Sequence, residues 1–210
     1  MMTLLPALTF GFVLGIKHAT DADHIAAIGT LSGGGASAAR AARLGALWGI
    51  GHSASVFLVG GALVFLQLPM PARLALGLEF LVALMLIALG VRSLRRRSAD
   101  QPSSVRPFLV GIVHGLAGSA VLALLLIGTA ATPLAASVYL LCFGVGTVAG
   151  MIVVTVALSL PARLDARWSA RFDRGLRLTA GVASIAIGLM LAHKVGVQDG
   201  LFAATPRWDP

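Results

Sequence analysis

Apolar residues fall along this chain in six long runs, roughly Phe10–Leu31, Leu44–Leu68, Ala72–Leu94, Phe108–Ala130, Pro133–Leu160 and Leu176–His193. Each is long enough to cross a hydrocarbon core of about 30 Å as a helix rising about 1.5 Å per residue. The pattern predicts an all-α membrane protein with six transmembrane helices rather than a soluble core. The connections are of two kinds. Gly33 to Arg43, Arg95 to Arg106 and Pro161 to Gly175 are polar and basic, whereas Pro69 to Pro71 and Thr132-Pro133 are very short turns.

Charge orients this pattern. The 210 residues are 58% hydrophobic and 11% charged, with a net charge of +8, so nearly every basic residue has topological weight. Arg40 and Arg43 lie in the first connection; Arg95, Arg96, Arg97 and Arg106 in the third; Arg163, Arg167, Arg171 and Arg174 in the fifth. Only Arg73 borders one of the other two. Odd connections share one face of the membrane, and the positive-inside rule makes that face cytoplasmic, with both termini outside. The arginines cluster at the ends of apolar runs and form no basic stripe, which argues against nucleic acid as a partner. The fifth connection spaces its arginines as an interfacial helix facing anionic lipid would, and a solvated basic loop fits equally well. Ser98 to Ser104 reads as a flexible linker. The single Cys142 cannot form an intrachain disulfide and packs in an apolar run. Ala36-Ser37-Ala38 has the form of a signal-peptidase site, but no basic residue precedes the first apolar run and Lys17, Asp21 and Asp23 interrupt it; the segment reads as retained.

The two halves match. Phe12, Gly15, Ile16 and His18 recur 96 positions on as Phe108, Gly111, Ile112 and His114, and Gly49 and Gly51 recur 95 on as Gly144 and Gly146. Gly77-Leu78 recurs as Gly175-Leu176, and Ala88 and Gly90 as Ala186 and Gly188. Three helices per half is an odd number, so the second half enters from the opposite face. The expectation is two inverted three-helix repeats, residues 1–94 and 107–210, joined by a basic cytoplasmic linker at 95–106. Secondary transporters are built this way, with sites near the midplane where the repeats meet; a soluble-type enzyme does not need it.

The first apolar run carries the chemistry. His18, Asp21, Asp23 and His24 fall within seven positions, just after Lys17. A charged Asp or Lys at a helix centre costs about 2.5–3.5 kcal/mol, so three of them cost on the order of 8–10 kcal/mol. Partners, water or a cation must offset this, which makes the stretch a functional-site candidate. Imidazole with carboxylate suits a divalent transition metal. With Pro107 and its counterpart Gly11 marking where helices four and one enter the membrane, His18 lies roughly 10 Å and His24 roughly 19 Å from the outer face; His52 lies roughly 18 Å from it. His114, roughly 10 Å from the inner face, either completes the same site or forms an inner station. At about 100° per residue His18 and His24 point about 120° apart, so one straight helix cannot aim the whole motif at one ion. Either the helix is unwound there, or some members hold the ligands in place.

Blander readings compete at each position. Asp21 can serve as a ligand or as the partner of Lys17, four positions earlier. His52 can hydrogen-bond across helices through Ser53 or Ser55. His193 sits at a helix end, and Trp48 and the glycines at 49, 51, 144 and 146 read as packing. Glu79, roughly 10 Å from the outer face, is a candidate proton or cation relay. Ser119 and His114 are five apart, on opposite sides of a helix, which disfavours an intramembrane hydrolase. The carboxylates beside His18 and His24 disfavour paired-histidine haem ligation.

The stretch His18-Ala19-Thr20-Asp21-Ala22-Asp23-His24 resembles the helix signature of the nickel/cobalt transporter (NiCoT) family, and Gly51-His52-Ser53 is similar to its second motif. Six runs rather than eight, and His114-Gly115-Leu116-Ala117-Gly118-Ser119-Ala120 in place of the later family motif, resemble the short, urease-associated nickel permease branch. The resemblance implies nickel, with cobalt second, carried inward across the cytoplasmic membrane of a bacterium or archaeon. The metal would be cargo on His18, Asp23, His24 and His52, with Asp21 and His114 assisting, and no cofactor would be needed. An exporter of the same metals, or a non-transporting membrane sensor or accessory protein, are the alternatives; a homodimer or an accessory subunit are the possible protein partners.

Overall fold

The computed structural model describes residues 4–32, 37–66, 70–95, 105–129, 132–161 and 166–208. Its elements are α1 (Leu4–His18), α2 (Ala22–Leu31), α3 (Ala38–Ser55), α4 (Gly61–Leu66), α5 (Ala72–Arg95), α6 (Val105–Thr129), α7 (Pro133–Ser159) and α8 (Ala166–His193). A wider π-helical turn, Val56–Gly60, joins α3 to α4, and another, Lys194–Gln198, extends α8. No strand occurs among the described residues. Among the described residues, four helical stretches are long and apolar enough to cross a membrane: Ala38–Leu66, Ala72–Arg95, Leu134–Ser159 and Arg171–Gln198. Leu8–His18 and Val105–Gly118 are shorter apolar helices.

Two expectations about boundaries change. α3 starts six residues before the apolar run, behind Ser37, whose hydroxyl accepts from the Arg40 amide; exposed Arg40 and Arg43 ride on the helix itself. α8 likewise begins at Ala166, so Arg167, Arg171 and Arg174 are helical and continuous with the apolar segment. The fifth connection is thus neither a separate interfacial helix nor a loop over those residues. An apolar run marks where hydrocarbon would begin, whereas a helix starts where its first amides are capped. Arg96, Arg97, Ser98 to Ser104 and Arg163 lie outside the described residues.

Helices of the two halves interleave. α1 packs on α7, α3 on both α6 and α7, and α5 on α8. Glycines make close backbone approaches, several of them in matched pairs. A Cβ at Gly15 would strike the Phe143 carbonyl and the Thr147 amide; one at Gly111 would strike the Trp48 carbonyl and the His52 amide. A Cβ at Gly146 would meet the Phe12 carbonyl, and one at Gly51 the Phe108 carbonyl. Gly90 faces the Gly181 carbonyl as Gly188 faces the Ala83 carbonyl. Such small residues let helix backbones touch where hydrophobic burial gives no drive. Hydroxyls tie the same seams: Ser53 donates to the Gly144 carbonyl (3.0 Å) and Ser184 to the Leu86 carbonyl (2.7 Å). The core around Ala27, Ile28, Trp48, Leu86 and Met151 lies where α2, α3, α5 and α7 converge.

Candidate metal centre

The signature helix is broken within its motif. α1 stops at His18, Thr20 and Asp21 close a turn through their amides to the Lys17 and His18 carbonyls, and Asp21 is extended (φ −62°, ψ 148°) before α2 resumes at Ala22. The Thr20 hydroxyl adds a 2.6 Å bond to the Lys17 carbonyl. These short polar side chains offer the backbone an alternative to helix continuation. The break brings the His18 and His24 rings to 4.5 Å between centroids, which a straight helix would forbid. Unwinding, one of the two ways to reconcile the motif with one site, is present.

Four imidazoles then meet. His18 and His24 come from either side of the break, His52 from α3 and His114 from α6; centroid separations are 5.1 Å for His18–His52, 5.5 Å for His24–His52 and 4.2 Å for His24–His114. His24, His52 and His114 are at most 4% exposed, so water cannot satisfy their ring nitrogens freely. His114 therefore joins the one cluster rather than standing apart as an inner station. Two overlapping triads, His18/His24/His52 and Asp23/His24/His114, each bring one possible ligand atom per residue within 4.8 Å of one another.

Both aspartates are engaged with imidazoles. Asp21 Oδ2 contacts His18 Nδ1 at 2.9 Å, while Asp23 bridges, with Oδ1 3.0 Å from His24 Nδ1 and Oδ2 2.8 Å from His114 Nε2. Asp21 thus partners His18 rather than Lys17. An ionised carboxylate only accepts, so each facing ring nitrogen carries the hydrogen. This assigns bare lone pairs to His18 Nε2, His24 Nε2 and His114 Nδ1. His24 Nε2 and His114 Nδ1, with His52 Nδ1, are buried without a hydrogen-bond partner, an arrangement that costs free energy unless something else fills the valence. His18 Nε2 and His52 Nε2 face each other at 3.3 Å. Two ligands of a tetrahedral ion with bonds of about 2.0 Å stand about 3.3 Å apart.

Sequence reasoning missed the walls of this site. Trp48, fully buried, stacks on His24 (5.5 Å, 26°), and Phe143 lies 5.4 Å from His18. Trp48 precedes His52 by four residues, one helical turn, and that spacing was the available signal. Ser53 makes the cross-helix bond expected near His52, whereas Ser55 caps the Gly51 and His52 carbonyls of its own helix. A cavity of about 180 Å³ adjoins the cluster and is lined by His18, Asp23, His24, His52 and His114 together with Glu79, Val82, Ala117, Gly118 and Leu191. Glu79 is thus in the cavity wall but outside both triads. His193, at the end of α8, belongs to neither triad. The Ser119 side chain lies outside the described residues.

Bundled apolar helices around a buried histidine–carboxylate cluster define an integral membrane protein with a polar core site. The chain belongs to the urease-associated, NiCoT-like family of such proteins: it is 32% identical over 219 aligned positions to the urease accessory protein UreH of Bacillus sp. strain TB-90, a match covering 95% of this chain and 96% of that protein. No family model and no solved structure matches the chain.

Proposed function

We propose that this protein is a secondary transporter, a permease that moves a divalent transition metal, nickel first and cobalt second, inward across the cytoplasmic membrane. The observation that carries this reading is the imidazole cluster in which Asp21 and Asp23 accept one ring N–H each from His18, His24 and His114, while the other nitrogens of His24 and His114 are buried without a partner beside a cavity. Such a donor set suits a borderline cation, and the absence of thiolate from it keeps the ion exchangeable. His18, His24 and His52 bind the partly dehydrated ion, which takes the place of the hydrogen otherwise needed between His18 and His52. Asp21 orients His18, and Asp23 orients His24 and His114 and adds negative charge beside the ion. Nickel agrees with the relative's name as a urease accessory protein and with the NiCoT-like motif. Ni2+ or Co2+ is substrate here, and the chain acts as a carrier rather than an enzyme.

In this reading α1 and α2 form one broken span, and with α3–α4, α5, α6, α7 and α8 they make six. The paired glycine contacts support two inverted repeats, and the arginines at the starts of α3 and α8 support a cytoplasmic face there. Alternating access then comes from one repeat moving against the other around the histidines.

The test is uptake of radioactive nickel by proteoliposomes holding the purified protein, beside His18→Ala and His24→Ala, with cobalt, zinc or manganese in excess. Uptake that both substitutions abolish, and that cobalt suppresses best, is expected. Ligation needs neutral imidazole, so uptake should fall as the pH drops through the histidine range. Tight binding without uptake would instead favour a sensor or accessory protein, and loss of preloaded nickel from the vesicles an exporter.

A further inference from the structure

Glu79 stands apart from the histidine cluster yet shares its cavity. It lies seven residues into α5, about 10 Å from that helix's start. Its Oε1 accepts a 2.9 Å hydrogen bond from the Trp208 indole N–H. Trp208 belongs to a strap, residues 199–208, that folds back over the start of α5. Arg73 holds the strap by donating to the Ala203 and Ala204 carbonyls (3.1 Å each), Phe202 packs edge-on against Phe80, and the Arg207 amide returns to the Asp199 carbonyl (2.9 Å). Gly200 takes the positive φ (68°) that the reversal requires.

Charge gives this arrangement a purpose. The imidazoles of the cluster are neutral when they bind a metal, so they cannot balance a divalent cation. The cavity lining contains two carboxylates, Asp23 and Glu79. Together they match the two positive charges of an ion that is losing water in a low-dielectric site, where uncompensated charge is expensive. Asp23 already spends both oxygens on His24 and His114. Glu79 has one oxygen oriented by an indole and keeps Oε2 for a ligand.

We propose that Glu79 is a second cation station, between the strap-covered end of α5 and the histidines, that captures the hydrated divalent metal by charge before the imidazoles take it, and that Trp208 is its positioning residue. The proposal rests on the transport reading of the histidine cluster. Hard carboxylate oxygen suits an ion that still carries water, and imidazole suits it once water is shed. A small separation in ligand chemistry along one cavity lets the ion move inward without being trapped. The indole bond fixes one carboxylate oxygen of Glu79 without neutralising the group.

The decisive variant is Glu79→Gln, because Gln keeps the oxygen that accepts from Trp208 while the charge is lost. In proteoliposomes, initial rates of nickel uptake across a concentration series should give a half-saturation concentration raised about tenfold, with the maximal rate retained. Trp208→Phe, which keeps the packing and removes the donor, should shift it the same way by about threefold. Visible absorption of bound Co2+, which reads the histidine ligands directly, should be unchanged in both variants. Wild-type half-saturation in Glu79→Gln overturns the proposal, and so does a shift accompanied by an altered cobalt spectrum, which would mean a general structural role. His24→Ala is run alongside. If it transports normally, the reading of the histidine cluster fails and the station fails with it, whereas lost uptake in His24→Ala beside wild-type half-saturation in Glu79→Gln overturns the station alone.

Discussion

The leading helices of the two halves, α1 and α6, begin alike and end differently. Phe12 and Gly15 sit against α7 as Phe108 and Gly111 sit against α3, backbone on backbone. Beyond His18 the first helix breaks, whereas beyond its counterpart His114 the second runs on to Thr129. The positions matching Thr20, Asp21, Asp23 and His24 are Leu116, Ala117, Ser119 and Ala120. Leucine and alanine are strong helix formers, and Thr with Asp are not. Where α3 offers His52, α7 offers Thr147, a buried hydroxyl satisfied by its own helix through the Phe143 carbonyl (2.9 Å). Packing is thus duplicated and chemistry is not. One half is broken and polar, and the other contributes an unbroken helix and one imidazole of the cluster, so among the described residues the pair encloses one histidine cluster.

That asymmetry is broken most sharply at the imidazoles. His24→Ala should lower nickel uptake at least about 100-fold, since it removes the imidazole shared by both triads. Thr147→Val, at the position matching His52, should leave uptake within about threefold, because only an intrahelical hydroxyl bond is lost. Equal losses from the two would mean that the second half carries ligands of its own. The carboxylates come next. Asp23→Asn should weaken metal binding by about 10–100-fold, as one carboxylate oxygen that holds a ring N–H becomes an amide nitrogen and the negative charge is lost. Asp21→Asn, on a side chain 49% exposed and contacting His18 alone, should cost about tenfold at most. Calorimetric titration with nickel orders the pair; a larger loss at Asp21 would reverse their roles.

Much of this site was legible in the sequence because cost concentrates it. Two aspartates and two histidines within an apolar run have to be offset by something, so their number and type alone mark a functional place. The angular misfit of His18 and His24 also foretold that the helix would break or that the roles would divide, and both happen: the break aligns the rings, and Asp21 and Asp23 hold them. What hydropathy could not give was which carboxylate oxygen meets which ring nitrogen, because that depends on the extended backbone at Asp21. Nor could it give the stacking of Trp48 on His24, since a tryptophan in an apolar helix has the same pattern whether it faces lipid or a site. Trp208 was illegible for a different reason. It lies 129 positions from Glu79, and only the reversal at Gly200 brings the two together. Helix starts were misplaced at α3 and α8 because their first turns are polar, and polarity there reports an interface rather than the end of the helix.

The smallest effects sharpen the comparison from the packing side, where the halves should behave as equals. A methyl group at Gly15 or Gly111 would press on the backbone of the facing helix, and neither backbone can rotate away as a side chain would. Gly15→Ala and Gly111→Ala should therefore each destabilise the folded protein by about 1–3 kcal/mol, and by similar amounts. Gly77 and Gly175 are also a matched pair, yet a methyl group at either meets no atom within 4 Å. Both sit inside helices, α5 and α8, where alanine is favoured over glycine by about 0.8–1.0 kcal/mol, so Gly77→Ala and Gly175→Ala should be neutral or slightly stabilising. Thermal unfolding of the four variants in one detergent reads all of these together. Similar losses within the first pair and none in the second mean that the halves share a packing scheme rather than a mere scatter of glycines. A large loss at Gly111 with none at Gly15 would mean that the α6–α3 seam alone holds the bundle, and the structural equivalence of the halves would be gone even if their sequences still match.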